Sequence, residues 1–494
     1  MRAGLLTVWL ALLAGACAQT PEQVQAPRFW NDQELSDWAT PLASLNVRPG
    51  HFSERDYYAA PDAEWVRTYP VYFPGREPAG YWDMVRAKKP EPLFTPGART
   101  TAAWIDDGRR VFEEMDVPGF RIVDPNLITA ARSVEEYTKR GGHAQKDGRV
   151  MGLRWVPTSK GLALGLADCA TCHTRVMPDG NLLPGAPFND PGDGVLGELV
   201  GRANAVFYPG ESTGQVNWRS FAVPWAPDDI HAGLKTMSEE ESGALLASTP
   251  PGTFPRFNGS PYYVTKVPDL IGIKDRKYID HTATHRLRGP ADVMRYASLV
   301  SCCDSADFGP HRMLTDAQRT IFYKFPDDLA FALAQYLFSL EPPPNPNAGD
   351  SRAAAGRAVF EGQRCDMCHT PPLYTNNKLT PAAGFKPPSD HPLASDIMEI
   401  SVDTDPHLAM NTRKGTGLYK VPSLKGVWYR GLFNHDGSVA SLEEWFDPAR
   451  LQETFVPSGF KGYKVTTRAV PGHPFGLDLS ADEKAALIAF LKTL

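Results

Sequence analysis

The chain has 494 residues, room for roughly three or four domains at about 100–200 residues each, so a sizeable buried core is available. Hydrophobic residues make up 42% and charged residues 22%, and Lys+Arg 51 against Asp+Glu 57 gives a net charge of -6, without the basic excess expected of a nucleic-acid binder. With 42 Gly and 45 Pro, regular structure is punctuated throughout, which predicts a mainly α protein whose helices are wrapped by long ordered loops. Taken in chain order, Met1 to Ala18 reads as an export signal, with Arg2, an apolar run from Leu5 to Ala14, then small residues at Gly15 and Ala16. That run is too short for a transmembrane anchor. Cleavage after Ala18 predicts a periplasmic or otherwise exported soluble protein; cleavage before Cys17 predicts a lipoprotein, the one route by which this sequence would meet a membrane.

Residues 19–100 are rich in Trp, Tyr and Pro, as in Tyr69-Pro70-Val71-Tyr72-Phe73-Pro74, and have little period. They read as an irregular N-terminal extension packed over the next unit, or as a separate binding module. Asp107-Gly108-Arg109-Arg110-Val111-Phe112-Glu113 then opens a helix, and residues 115–165 look like an insertion. The segment Ala332 to Leu340 is a helix with apolar residues at i, i+3, i+4 and i+7. Pro342-Pro343-Pro344 cannot continue it and marks a linker.

Beyond the linker the chain repeats its own pattern. Ala355-Gly356-Arg357-Ala358-Val359-Phe360-Glu361 echoes the opening helix, and Val421-Pro422-Ser423-Leu424 echoes Val267-Pro268-Asp269-Leu270 at an offset of 154. The same offset carries Arg276 onto Arg430, His281 onto His435, and the Ala332–Leu340 helix onto Ala486–Leu494. Two related helical units are predicted, 101–347 and 348–494, the first carrying insertions.

Seven cysteines are present, Cys17 among them in the leader. Cys169-Ala170-Thr171-Cys172-His173 and Cys365-Asp366-Met367-Cys368-His369 share the pattern C-x-x-C-H, the attachment signature of c-type haem. Two thiols at this spacing lie on one helical face and reach the two vinyl groups, while the next residue places an imidazole under the iron. A thioredoxin-like pair or half a zinc site is the alternative for one copy, and two copies in an exported chain argue against it. The reading is two covalently bound haem c groups, with His173 and His369 as proximal ligands. Cys302 and Cys303 are adjacent, either a vicinal disulfide or two buried thiols.

Asn434-His435-Asp436-Gly437-Ser438, between Val421-Pro422-Ser423-Leu424 and Ser441-Leu442-Glu443-Glu444, resembles the bacterial di-haem cytochrome c peroxidases. Their wider group includes the methylamine-dehydrogenase maturation enzyme and the haem rubber oxygenase. The resemblance is clear over 350–494, fair over 100–345 and absent before that. It implies two cytochrome c-like domains in tandem, an N-terminal haem that reacts with peroxide or dioxygen and a C-terminal haem that supplies electrons. Peroxidase members carry a Met as sixth ligand of the second haem shortly after the His-Asp-Gly element. Here Leu442 to Val456 contains no Met, which leans toward the oxygenase branch.

The replacement sixth ligand is His473, in Pro471-Gly472-His473-Pro474, with His435 as the rival; Met398 and Met410 read as core fillers. For the distal pocket of the first haem the polar candidates are His281 and His285, then His311 and Glu114. The function read from these residues is an exported di-haem oxidoreductase, taking peroxide, dioxygen or an organic substrate and exchanging electrons with a small redox protein. The alternative is an electron-transfer cytochrome without a substrate site of its own.

Overall fold

The computed structural model describes residues 22–139, 144–190, 210–255, 258–316 and 318–494; the export signal and Cys17 lie outside them. Two helix pairs organise the chain. In the first, Thr101–Glu114 crosses Asp327–Ser339; in the second, Ala353–Gly362 crosses Ala481–Lys492. Each crossing is set by a glycine. A Cβ on Gly108 would stand 2.6 Å from the carbonyl carbon of Ala332 and 2.7 Å from Tyr336 Cβ. On Gly356 it would stand at the same two distances from Ala486 and Phe490, the residues 154 positions further on. No side chain fits there, so the helices touch backbone to backbone.

Local sequence explains where these helices begin and end. Thr100 accepts a hydrogen bond from the Ala103 amide, and Ser480 forms a capping box with Glu483. Leu340, before the proline run, ends the Asp327–Ser339 helix, and Asn345 in the linker donates to the Lys492 carbonyl at 2.9 Å.

Two segments depart from the predicted mainly α character. Among the described residues helix accounts for 32% and strand for 13%, a mixed content. The insertion at 115–165 supplies Arg149–Thr158 and Gly161–Leu166, which pair antiparallel; Tyr69–Tyr72 of the extension adds the third strand. Their inner face, with Val71, Leu153, Trp155 and Leu164, covers its own small core. The extension is also more regular than its sequence suggests, with short helices at Asp32–Trp38, Glu54–Ala59 and Tyr81–Ala87. It forms part of the main core: Phe29, Trp30, Trp38, Tyr57 and Trp65 pack with Trp104, Phe112, Leu299 and Leu333. Aromatic rings of this size each remove on the order of 150–250 Å² from water, so the arm stabilises the first helix pair by many kcal/mol at about 25 cal/mol per Å².

The two repeats clasp each other. The Lys266 amide donates to the His435 carbonyl at 2.8 Å, and the Lys420 amide donates to the His281 carbonyl at 3.0 Å. These are equivalent positions under the 154-residue offset, so the exchange is reciprocal about a local pseudo-twofold. Cys302 and Cys303 form a vicinal disulfide, with Cα atoms 3.8 Å apart, at the end of the helix Pro290–Ser301. Among the described residues no helix is long and apolar enough to cross a membrane.

Candidate functional site

Both C-x-x-C-H segments fold into one tight turn closed by the same bond. His173 N–H donates to the Cys169 carbonyl at 3.1 Å and His369 N–H to the Cys365 carbonyl at 2.8 Å. None of the four cysteines is joined in a disulfide. Cys169 packs against the core cluster that holds the first helix pair, and Cys365 against the cluster that holds the second. Burial pushes the Cys365 thiol up to about 11 and the Cys169 thiol upward as well, so both are protonated at neutral pH.

A cavity of about 410 Å³ opens over the second motif. Leu442, Phe446, Leu487 and Leu491 line it together with Cys365, Cys368 and His369. His369 Nδ1–H donates to the carbonyls of Tyr374 and Pro422 at 3.2 and 3.1 Å, which fixes the tautomer and leaves Nε2 as the available lone pair. Opposite stands His473, its ring centre 6.3 Å from that of His369. Two imidazoles on one metal need about 2.0–2.1 Å from each nitrogen to the metal plus about 1.1 Å from each nitrogen to its ring centre, about 6.3 Å in all. Burial holds His473 down to about 3 and His369 to about 4, so both rings are neutral at pH 7, as ligands must be. His473 Nδ1 is buried with no hydrogen-bond partner.

Among the described residues no group of three or more His, Cys, Asp and Glu side chains is placed to hold a bare metal ion. An imidazole pair with no third such ligand beside it among the described residues suits a metal that brings its own further donors, which is what a porphyrin does. The donor set fits a c-type haem at this motif.

The loop that presents His473 is held by a residue that no sequence pattern singles out. Arg450, fully buried, donates to the carbonyls of Trp445, Val470, Gly472 and His473 at 2.6 to 2.9 Å. Gly472 adopts φ +88°, and a Cβ there would meet Thr404 backbone at 2.6 Å. Trp445 and Phe475 flank the His473 ring at 5.4 Å each.

The other sequence candidates are sorted by this geometry. His281, expected in the distal pocket of the first motif, lines the second-motif cavity, with Nε2 at 2.8 Å from the Lys266 carbonyl. The reciprocal clasp carries it across to the other unit. His435, the rival sixth ligand, lines the same cavity, but its ring packs on Tyr419 at 4.6 Å and its Nδ1 lies 2.9 Å from Asn434 Oδ1. Met398 also lines it and accepts from Asn376 at 3.6 Å. His285 is elsewhere, fully buried between Trp38, His51 and Tyr296. Its Nδ1 pairs with Asp280 at 3.2 Å, and its Nε2 is buried without a partner. The helix carrying Tyr296 also carries Ser301, whose hydroxyl donates at 3.0 Å to Asp168, the residue before Cys169. His311 sits on a hairpin beside Trp225, and Glu114 faces Arg67.

No protein-family model matches this chain, and no curated protein matches it. Among solved structures, hydrazine synthase from Kuenenia stuttgartiensis aligns with 57% of this chain and 86% of its own at 14% identity, with a TM-score of 0.29. A MauG-like protein associated with microbial copper homeostasis aligns with 34% of this chain and 56% of its own at 20% identity, with a TM-score of 0.22. At those scores neither likeness carries an argument, and the assignment rests on the side chains.

Proposed function

We propose that this protein is an exported di-haem c-type oxidoreductase, acting on peroxide or dioxygen at the Cys169–Cys172–His173 site and exchanging electrons with a small redox protein through the Cys365–Cys368–His369 site. Its two helix pairs are then the cores of two cytochrome c-like domains, 101–347 and 348–494. The observation that carries the reading is the pair of neutral imidazoles, His369 and His473, facing each other across the cavity at 6.3 Å. A haem bound there supplies one-electron exchange, at a lower potential with two imidazoles than with imidazole and thioether. His369 is oriented by two carbonyls and His473 by the Arg450 staple. For the first site His285 is the acid–base candidate: its Nδ1–H donates to the Asp280 carboxylate at 3.2 Å, which leaves Nε2 as the lone pair that would accept a proton. The leader-like segment Met1 to Ala18 supports an exported setting, periplasmic or otherwise, soluble if cleaved after Ala18 and membrane-tethered if Cys17 is lipidated.

The ferric electron paramagnetic resonance spectrum tests this. One high-spin and one low-spin signal, with the high-spin signal responding to peroxide, is the expected result. Two low-spin signals indifferent to peroxide would instead identify an electron-carrying cytochrome. Replacing His473 by Gly should convert the low-spin signal to high-spin; an unchanged spectrum would remove His473 as the ligand.

A further inference from the structure

The cavity over His369 is lopsided in charge. Among the described residues its lining includes five basic side chains and a single acid, Asp269. That acid is already engaged: its Oδ2 accepts from the Tyr429 hydroxyl at 3.0 Å and lies 3.7 Å from Arg430, and its Oδ1 accepts from the Ile271 amide. Four of the bases form two equivalent pairs under the 154-residue offset, Lys266 with Lys420 and Arg276 with Arg430.

The arginines are placed alike. Arg276 donates to the carbonyls of Asp269 and Ile271, and Arg430 to those of Ser423 and Lys425, which are the same two positions in the repeat. The lysines differ in what they find. Lys420 Nζ donates to the carbonyls of Tyr278 and Ile279 at 3.2 and 2.8 Å, whereas Lys266 Nζ has no hydrogen-bond or ion-pair partner among the described residues. Burial, then repulsion from Arg430, pulls Lys266 down to about 7; burial, then repulsion from Arg276, does the same to Lys420. Cations this close and this buried are costly unless an anion joins them.

We propose that this seam is a carboxylate receptor, in which Lys266, Arg276, Lys420 and Arg430 together take the two propionates of the haem tethered at Cys365 and Cys368. The inference rests on the proposed haem at that motif and adds to it that the first unit supplies half of the second unit's cofactor site. A dicarboxylate brings the charge the wall lacks, and a lysine and an arginine from each repeat meet it.

The test uses the mature holoprotein with Lys266→Met and Lys420→Met, read by the midpoint potential of the low-spin haem and by the propionate bending modes in its resonance Raman spectrum. Removing a positive charge beside the porphyrin should lower the potential and shift those modes, while the low-spin signal persists because His369 and His473 are untouched. Lys266→Arg should restore both readouts toward the parent values. Unchanged potential and unchanged modes in both methionine variants would overturn the proposal. Should those variants fail to mature, the parent protein decides: sequestered propionates give a potential that is flat from low to high salt, and a salt-dependent potential overturns the proposal equally. Mass spectrometry of the Cys365–Cys368 peptide separates the two ideas, because a bare peptide refutes the haem reading, whereas a loaded one with an indifferent potential refutes only the seam.

Discussion

Replacing Arg450 by methionine would keep most of the side-chain volume and remove the guanidinium that ties the His473 loop to the helix Leu442–Trp445. Four carbonyls, of Trp445, Val470, Gly472 and His473, would lose their donor inside the protein. A buried acceptor left unpaired costs about 1–3 kcal/mol, and relaxation lets some of the four find water, so a total loss of about 3–5 kcal/mol is expected. About 3 kcal/mol of that falling on the loop would move its equilibrium toward release on the order of 100-fold. Two measurements report the change: the urea midpoint of the holoprotein, which should fall, and the low-spin fraction of the second haem, which should drop as His473 loses its anchor. Arg450→Lys, a single point donor in place of a planar fork, should fall between parent and methionine variant. A methionine variant with the parent's midpoint and the parent's low-spin fraction would refute the idea that this guanidinium positions the ligand.

The twin glycines make a paired prediction: Gly108→Ala and Gly356→Ala should each cost about 3 kcal/mol, because the new Cβ meets backbone at the facing helix rather than a movable side chain. Thermal melts that leave either variant at the parent Tm would show that the crossing is looser than described. Acid should also destabilise the protein, with the sign set by burial. His473, His281 and His369 are held at about 3, 3 and 4 from an ordinary value near 6.5, so the unfolded chain binds more protons between those limits. Stability contributed by these groups is complete above about 6.5 and is lost as pH falls toward 4; a denaturation midpoint flat over pH 4 to 7 would contradict it.

The helix crossings are legible in the chain because the close contact needs glycine and leaves the same letters in both copies, Gly108 with Val111-Phe112 and Gly356 with Val359-Phe360. The place of His473 between the His-Asp-Gly element and the last helix is what makes it a candidate in the sequence, and its ring lies 6.3 Å from that of His369. The three-stranded sheet is not: Gly152 and Pro157 blur the alternation of Arg149–Thr158, and its outer partner Tyr69–Tyr72 arrives from the extension. Local sequence places His281 in the first unit and gives no sign that it lines the second-motif cavity, where the backbone exchange with Lys420 sets it. Arg450 leaves no signal at all, since Pro448-Ala449-Arg450-Leu451 reads as a solvated turn until the loop at 470–473 folds back over it. The equivalence of Lys266 and Lys420 does leave one, in the same offset that joins Arg276 to Arg430 and His281 to His435.

The exchange of amides between Lys266 and His435, and between Lys420 and His281, ties the two halves together at equivalent positions. Cutting at the proline linker would separate the sequence without separating the structure, since each fragment would be left with an unclosed edge and an incomplete wall. A change of shape at one member of a twinned position therefore reaches its counterpart directly, and the halves can drift apart in sequence only as fast as the handshake between them permits.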